Sequence, residues 1–158
     1  MIKYVPEDTS VCFSEIKSEI SLGINLSCCI HKCPGCHSPY LQTDCGEELT
    51  IEVIDSLLER HKGITCVLFL GGDNDKDTLK KFADYISSKG LMVGWYSGET
   101  YLDLNDYGKH FNYIKVGPYI KELGPLNNPL TNQRLYYIVH KNDSISVEDI
   151  TYTLQKKP

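Results

Sequence analysis

Cys29, Cys33 and Cys36 stand at C-x₃-C-x₂-C spacing in the stretch Cys29-Ile30-His31-Lys32-Cys33-Pro34-Gly35-Cys36. Thiolates are soft ligands suited to iron–sulfur clusters, zinc and copper(I). A four-iron cluster normally takes four cysteines. Three on one loop would hold three corners and leave one iron open, as catalytic zinc sites keep an open position. Two other readings use the same residues. Zinc would take Cys29, Cys33 and Cys36 with a fourth ligand from His31, His37 or Cys45, although structural zinc sites usually pair two knuckles far apart in sequence. A thioredoxin-like pair would use Cys33 and Cys36 and leave Cys29 without a role. Cys28 is one residue too far from Cys33 for the signature and reads as a spectator, and Cys45 lies outside it. Cys12 and Cys66 read as small apolar core residues, since free cysteine is commonly buried.

A second chemical feature is Gly71-Gly72-Asp73, directly after the apolar run Cys66-Val67-Leu68-Phe69-Leu70. Glycine lets backbone approach a ligand closely, and backbone carbonyls with the Asp73 carboxylate would accept from an ammonium. The plainer alternative is a strand-to-helix turn with Asp73 near a helix start, where the dipole favours an acid. Ser97 and Glu99 follow another apolar run and could reach a ribose or an ammonium, or simply close a capped loop. His37 and Tyr40 are further candidates to face a site, and Asp44 reads as solvent-exposed.

The elements that must position these residues alternate along the chain. Strands are expected near 20–26, 66–70, 92–96, 113–116 and 135–139, with a short one at Val11-Cys12-Phe13. Thr50 is expected to cap a helix running to about Arg60, with Ile51, Ile54 and Leu58 on one face. Asp77 caps the next in this reading, where Leu79, Phe82, Ala83 and Ile86 form an apolar stripe. Residues 100–111 form a weaker helix or crossover, and 118–134 a long loop that could contact a substrate or partner. Ser146-x-x-Asp149 resembles a helix start for a last helix over 146–154. Strands alternating with helices predict an α/β fold with a mainly parallel sheet. The 158 residues suit a single domain, 1–158, but are too few for a closed eight-unit barrel. An incomplete, open β/α barrel is therefore expected, with the Cys loop at the C-terminal edge of its strands.

Bulk properties narrow the function classes. The net charge is −5 and no block of basic residues occurs, which argues against a nucleic-acid surface. No run approaches the ~20 apolar residues of a membrane span. The first residues lack the apolar core of a secretory signal. Seven cysteines without such a signal suit a reducing cytoplasm.

Cys29 to Cys36 has the spacing of the radical S-adenosylmethionine superfamily. The extended stretch Cys33-Pro34-Gly35-Cys36-His37-Ser38-Pro39 resembles the loop of the anaerobic ribonucleoside-triphosphate reductase activating proteins. Gly71-Gly72-Asp73, Trp95-Tyr96-Ser97-Gly98, Val116-Gly117-Pro118-Tyr119 and Thr131-Asn132-Gln133-Arg134 occur in that family's order, so the resemblance covers roughly residues 10 to 140.

The resemblance implies a radical S-adenosylmethionine-type partial barrel. It implies a 4Fe–4S cluster on Cys29, Cys33 and Cys36, with S-adenosylmethionine on the open iron. The backbone of Gly35, Cys36 and His37 would read the adenine. Gly71, Gly72 and Asp73 would hold the methionyl end, with Ser97 nearby, although many members of the superfamily have Glu where this chain has Asp73. The implied activity is reductive cleavage of S-adenosylmethionine, which installs a glycyl radical on anaerobic ribonucleotide reductase. The partners are then that reductase and an external one-electron donor such as a flavodoxin or ferredoxin. The alternatives are an activase of another glycyl radical enzyme, of the pyruvate formate-lyase type, and a zinc-stabilised interaction module without catalysis.

Overall fold

Four apolar runs form the centre of the protein. In the computed structural model, which describes residues 1–36 and 38–155, they pair as adjacent strands of one sheet. In chain order the strands are β1 (Lys3–Tyr4), β2 (Ser10–Cys12), β3 (Ser21–Asn25), β4 (Glu47–Glu48), β5 (Cys66–Leu70), β6 (Met92–Tyr96), β7 (Tyr113–Val116), β8 (Arg134–Lys141) and β9 (Ser144–Asp149). The main sheet has seven strands in the order β2-β3-β5-β6-β7-β8-β9, and β1 pairs with β4 separately. The pairings β3–β5, β5–β6 and β6–β7 are parallel. Those of β2–β3, β7–β8 and β8–β9 are antiparallel.

This arrangement corrects the expected fold class. Among the described residues the chain forms a mixed seven-stranded sheet with three α-helices, not a radical S-adenosylmethionine-type open barrel with a helix after each strand. The helices are α1 (Ile51–Arg60), α2 (Lys76–Ser88) and the short α3 (Leu104–Tyr107). Strand–helix alternation holds only between β3 and β7. The helix expected over 146–154 is instead strand β9 followed by a 3₁₀ turn at Thr151–Leu154. Its physical cause is the hairpin after Lys141, where Asn142 sits at φ 52°. Asn tolerates that left-handed conformation at small cost, and the turn sends the chain back along β8.

Local signals explain the two longer helices. Thr50 caps α1 by accepting from the Val53 amide at 3.2 Å. The cap of α2 is Asp75, two residues before Asp77, and it accepts from the Thr78 amide. Both helices cover the face of the sheet formed by Val67, Phe69, Val93, Trp95 and Ile114. The other face carries Cys66, Leu68, Tyr113 and Leu135 and is covered by Ile16 and Leu126. Burial on both faces accounts for the continuous apolar runs of β5 and β6. Cys66 is fully buried as expected, whereas Cys12 is half-buried against the second face. The 118–134 segment has neither helix nor strand, but Leu126, Thr131 and Gln133 within it are buried. No helix among the described residues is long and apolar enough to cross a membrane.

Candidate functional site

The parallel register brings the strand ends level. Asn25 pairs with Leu70, Leu70 with Tyr96, and Tyr96 with Lys115. The loops after β3, β5, β6 and β7 therefore leave one edge side by side, where the chemistry of open parallel sheets collects. They carry the Cys loop, Gly71-Gly72-Asp73, Ser97-Gly98-Glu99 and Gly117.

Gly71 and Gly72 adopt φ 110° and 100°, which L side chains rarely reach. A Cβ on Gly72 would also lie 3.0 Å from methyl carbons of Leu26 and Leu79. The turn is fastened by the Gly71 amide donating to the Tyr96 carbonyl at 3.1 Å and by Trp95 Nε1 donating to the Gly71 carbonyl at 2.8 Å.

That turn delivers Asp73 into a buried polar hub. Its Oδ1 accepts from Ser97 Oγ at 2.6 Å and its Oδ2 from the Gly98 amide at 2.9 Å. Ser97 is fully buried and Asp73 nearly so. The two sequence candidates thus meet, but they bond each other. Lys76 reaches back from α2 to the Asp73 carbonyl at 3.1 Å and to Glu99 Oε1 at 2.9 Å. Burial alone would lower the Lys76 pKa; the Glu99 hydrogen bond and charge outweigh it and raise it. His31, from the Cys loop, brings Nε2 to 3.0 Å from Asp73 Oδ2 and 3.8 Å from Glu99 Oε1.

The Cys loop itself corrects the cofactor expectation. Among the described residues, the group of three His, Cys, Asp or Glu donors lying within 4.8 Å of one another is His31, Asp73 and Glu99, not the three thiols. The backbone explains the separation. Cys28 and Cys29 donate their amides to the Thr43 and Leu41 carbonyls, whereas Cys36 donates to Cys33 in a tight turn. Cys29 is tied at its amide to the 41–43 segment and at its thiol to the His31 carbonyl at 3.4 Å, while Cys33 and Cys36 close the turn containing Gly35, whose φ is 75°. Burial chiefly raises the Cys29 pKa, a hydrogen bond with the His31 backbone lowers it, and the charges of Asp73, Cys33 and Cys36 raise it further. The described residues do not fit a 4Fe–4S cluster, and S-adenosylmethionine bound to its open iron falls with it. The same finding removes zinc on Cys29, Cys33 and Cys36. His37 lies outside the described residues.

Lys115 is the residue that sequence reasoning passed over. It sits in β7 among Tyr113, Ile114 and Val116, and its Nζ donates to the Ser97 carbonyl at 2.8 Å and the Gly117 carbonyl at 3.0 Å. A charged residue inside an apolar strand was the available signal, because Lys is almost never buried without a reason. Burial pushes its pKa down from 10.5 to about 8, against the opposing charges of Asp73, Cys33 and Cys29. Lys115 also lines an open cleft of about 770 Å³ with Cys36, Tyr96, Tyr119, Leu126 and Gln133.

The lysine has a measurable consequence. From pH 8 upward the unfolded chain holds the extra proton, so this group stabilises the fold as pH rises. The expected contribution between pH 8 and 9 is about 1 kcal/mol. Cys66 acts in the opposite sense. Burial raises its pKa from 9.0 to about 12, so stability is lost as the unfolded chain ionises above pH 9. The Met1 amine, raised chiefly by its hydrogen bond to Asp75, also opposes the lysine near pH 8. Urea titrations of wild type and Lys115→Met at each pH isolate the term, because only the difference between them belongs to Lys115. A difference that is constant across pH 8–9 would show that the lysine does not titrate there.

Compared with known proteins, the chain matches no family model, no curated protein and no solved structure.

Proposed function

We propose that the chain activates a glycyl radical enzyme, and that its partner is the glycyl radical subunit of an anaerobic ribonucleotide reductase. One observation supports this most. The Cys loop, Gly71-Gly72-Asp73, Ser97-Gly98 and Gly117 are far apart in sequence, yet they leave the same sheet edge. They are the segments that carry the family resemblance. Beside them lies the open cleft of about 770 Å³, which suits a backbone segment of a folded partner better than an enclosed small-molecule pocket would. Lys115 and Gln133 stand on its wall and brace the Gly117 carbonyl, which fixes the shape of that side of the cleft. An external flavodoxin or ferredoxin is the proposed electron-transfer partner; being a reductant, it does not itself remove the glycine hydrogen atom, and that oxidation is assigned to no residue of this chain. No step is drawn through a cluster, because the described sulfurs do not make a site for one.

The test is anaerobic co-expression of the chain with its cognate reductase, read in whole cells by electron paramagnetic resonance. A glycyl doublet that depends on the chain is the expected result. A doublet obtained only with a pyruvate formate-lyase-type partner would redirect the substrate. Stable binding to the reductase with no doublet would leave an interaction module and overturn the activase reading.

A further inference from the structure

We propose that His31, Asp73 and Glu99 form a site for one divalent transition-metal cation of the zinc or manganese class. This rests on the donor geometry alone and not on the activase reading. Two ligands bonded to one ion at about 2 Å stand side by side, about 3 Å or a little more apart. The distances from His31 Nε2 to the two carboxylates, 3.0 and 3.8 Å, have that spacing. They are not head-on hydrogen bonds: Nε2 is buried and has no hydrogen-bond partner, although carboxylate oxygens surround it. A nitrogen in that position is costly unless it is paired, and a shared cation pairs it.

The surroundings are built for the same arrangement. Ser97 Oγ and the Gly98 amide hold both oxygens of Asp73, as outer-shell donors orient ligating carboxylates in metal sites. Gly98 makes room for the imidazole, because a Cβ there would lie 2.7 Å from a His31 ring carbon. One nitrogen and two carboxylates form a donor set of intermediate hardness, which favours zinc, manganese or iron(II) over copper(I). The ligands Asp73 and Glu99 carry two negative charges that attract a dication, and Lys76 and Lys115 are the cations coupled to them. Lys76 is the resident competitor, since its Nζ lies 2.9 Å from the Glu99 oxygen that faces His31.

The competition gives the test its discriminating arm. Chelator-stripped full-length protein is titrated anaerobically with Zn²⁺ by calorimetry, and with Co²⁺ by absorption. One ion per chain is expected, with a cobalt spectrum free of sulfur-to-metal charge transfer. His31→Ala and Glu99→Gln should each weaken zinc about 100-fold, and Ser97→Ala about 10-fold, within the range known for outer-shell partners. Lys76→Met should tighten zinc about tenfold by removing a neighbouring cation, which a merely structural lysine would not do. The triple variant Cys29→Ser, Cys33→Ser, Cys36→Ser should bind zinc as wild type does. No binding, unchanged affinity in both His31→Ala and Glu99→Gln, or a thiolate charge-transfer band in the wild-type cobalt spectrum would each overturn the proposal. The last readout needs no variant to fold.

Discussion

Replacing Asp73 with Ala is expected to cost about 3 kcal/mol of unfolding free energy, whereas Asp73→Asn costs about 1 kcal/mol. The difference follows from what the carboxylate holds. Ser97 Oγ donates to one oxygen at 2.6 Å in a buried setting, and the Gly98 amide to the other at 2.9 Å in a partly buried one. Alanine leaves both donors without an acceptor, and each such buried group costs about 1–3 kcal/mol. Asparagine has nearly the same shape. Its amide oxygen can face the Gly98 N–H, and its amide nitrogen can donate to the Ser97 hydroxyl, which accepts as well as donates. Only the negative charge beside His31 is then lost. Urea unfolding with the slope held constant measures both values. Equal losses in the two variants would show that Asp73 acts through its charge on His31 and Lys76 rather than as an acceptor. Because the same residue anchors the proposed cation site, Asp73→Asn should also weaken zinc while the fold persists, which separates ligation from stability.

The sequence disclosed those parts of the fold that burial dictates directly. Cys66–Leu70, Met92–Tyr96 and Tyr113–Val116 are covered on both faces, so their apolar runs coincide with the strands. Thr50 was legible as a cap because its hydroxyl needs only the backbone three residues on. The last helix was misread because Ser146-x-x-Asp149 satisfies a local capping pattern, while the deciding feature is tertiary. Residues 144–149 pair along β8 once the turn at Asn142 reverses the chain. The barrel failed for the same reason, since nothing in the residues after Val116 shows which edge they join. At the site, Asp73 and Ser97 were legible because each follows a buried strand. The three thiols were misjudged because spacing states only that sulfurs are close in sequence. Whether they converge depends on how the Leu41 and Thr43 carbonyls hold the start of the loop. His31 entered only as one of several zinc ligands beside the thiols, since its carboxylate partners lie on other strands' loops.

Trp95→Ala should remove about 3–5 kcal/mol, a large fraction of the 5–15 kcal/mol that holds a typical domain folded. The indole is fully buried and lies 5.2 Å from the Phe111 ring and 5.4 Å from the Tyr107 ring. Its loss opens a cavity between the sheet and the helices, and it also removes two ring contacts worth about 0.5–1.5 kcal/mol each. Trp95→Phe separates packing from the polar contribution. The smaller ring keeps much of the burial but cannot donate to the Gly71 carbonyl, now bonded by Nε1 at 2.8 Å, so about 1–2 kcal/mol should go. That carbonyl belongs to the left-handed Gly71-Gly72 turn, and the turn carries Asp73 to Ser97 and His31. Trp95→Phe should therefore speed amide hydrogen exchange at Asp73 and Gly98 more than at the centre of β5. Circular dichroism must follow the unfolding of both variants, since Trp95 is the single tryptophan. If exchange at Asp73 and Gly98 is unchanged in Trp95→Phe, the Gly71 amide bond to Tyr96 holds the turn alone. The indole would then act on the site only through the stability of the core.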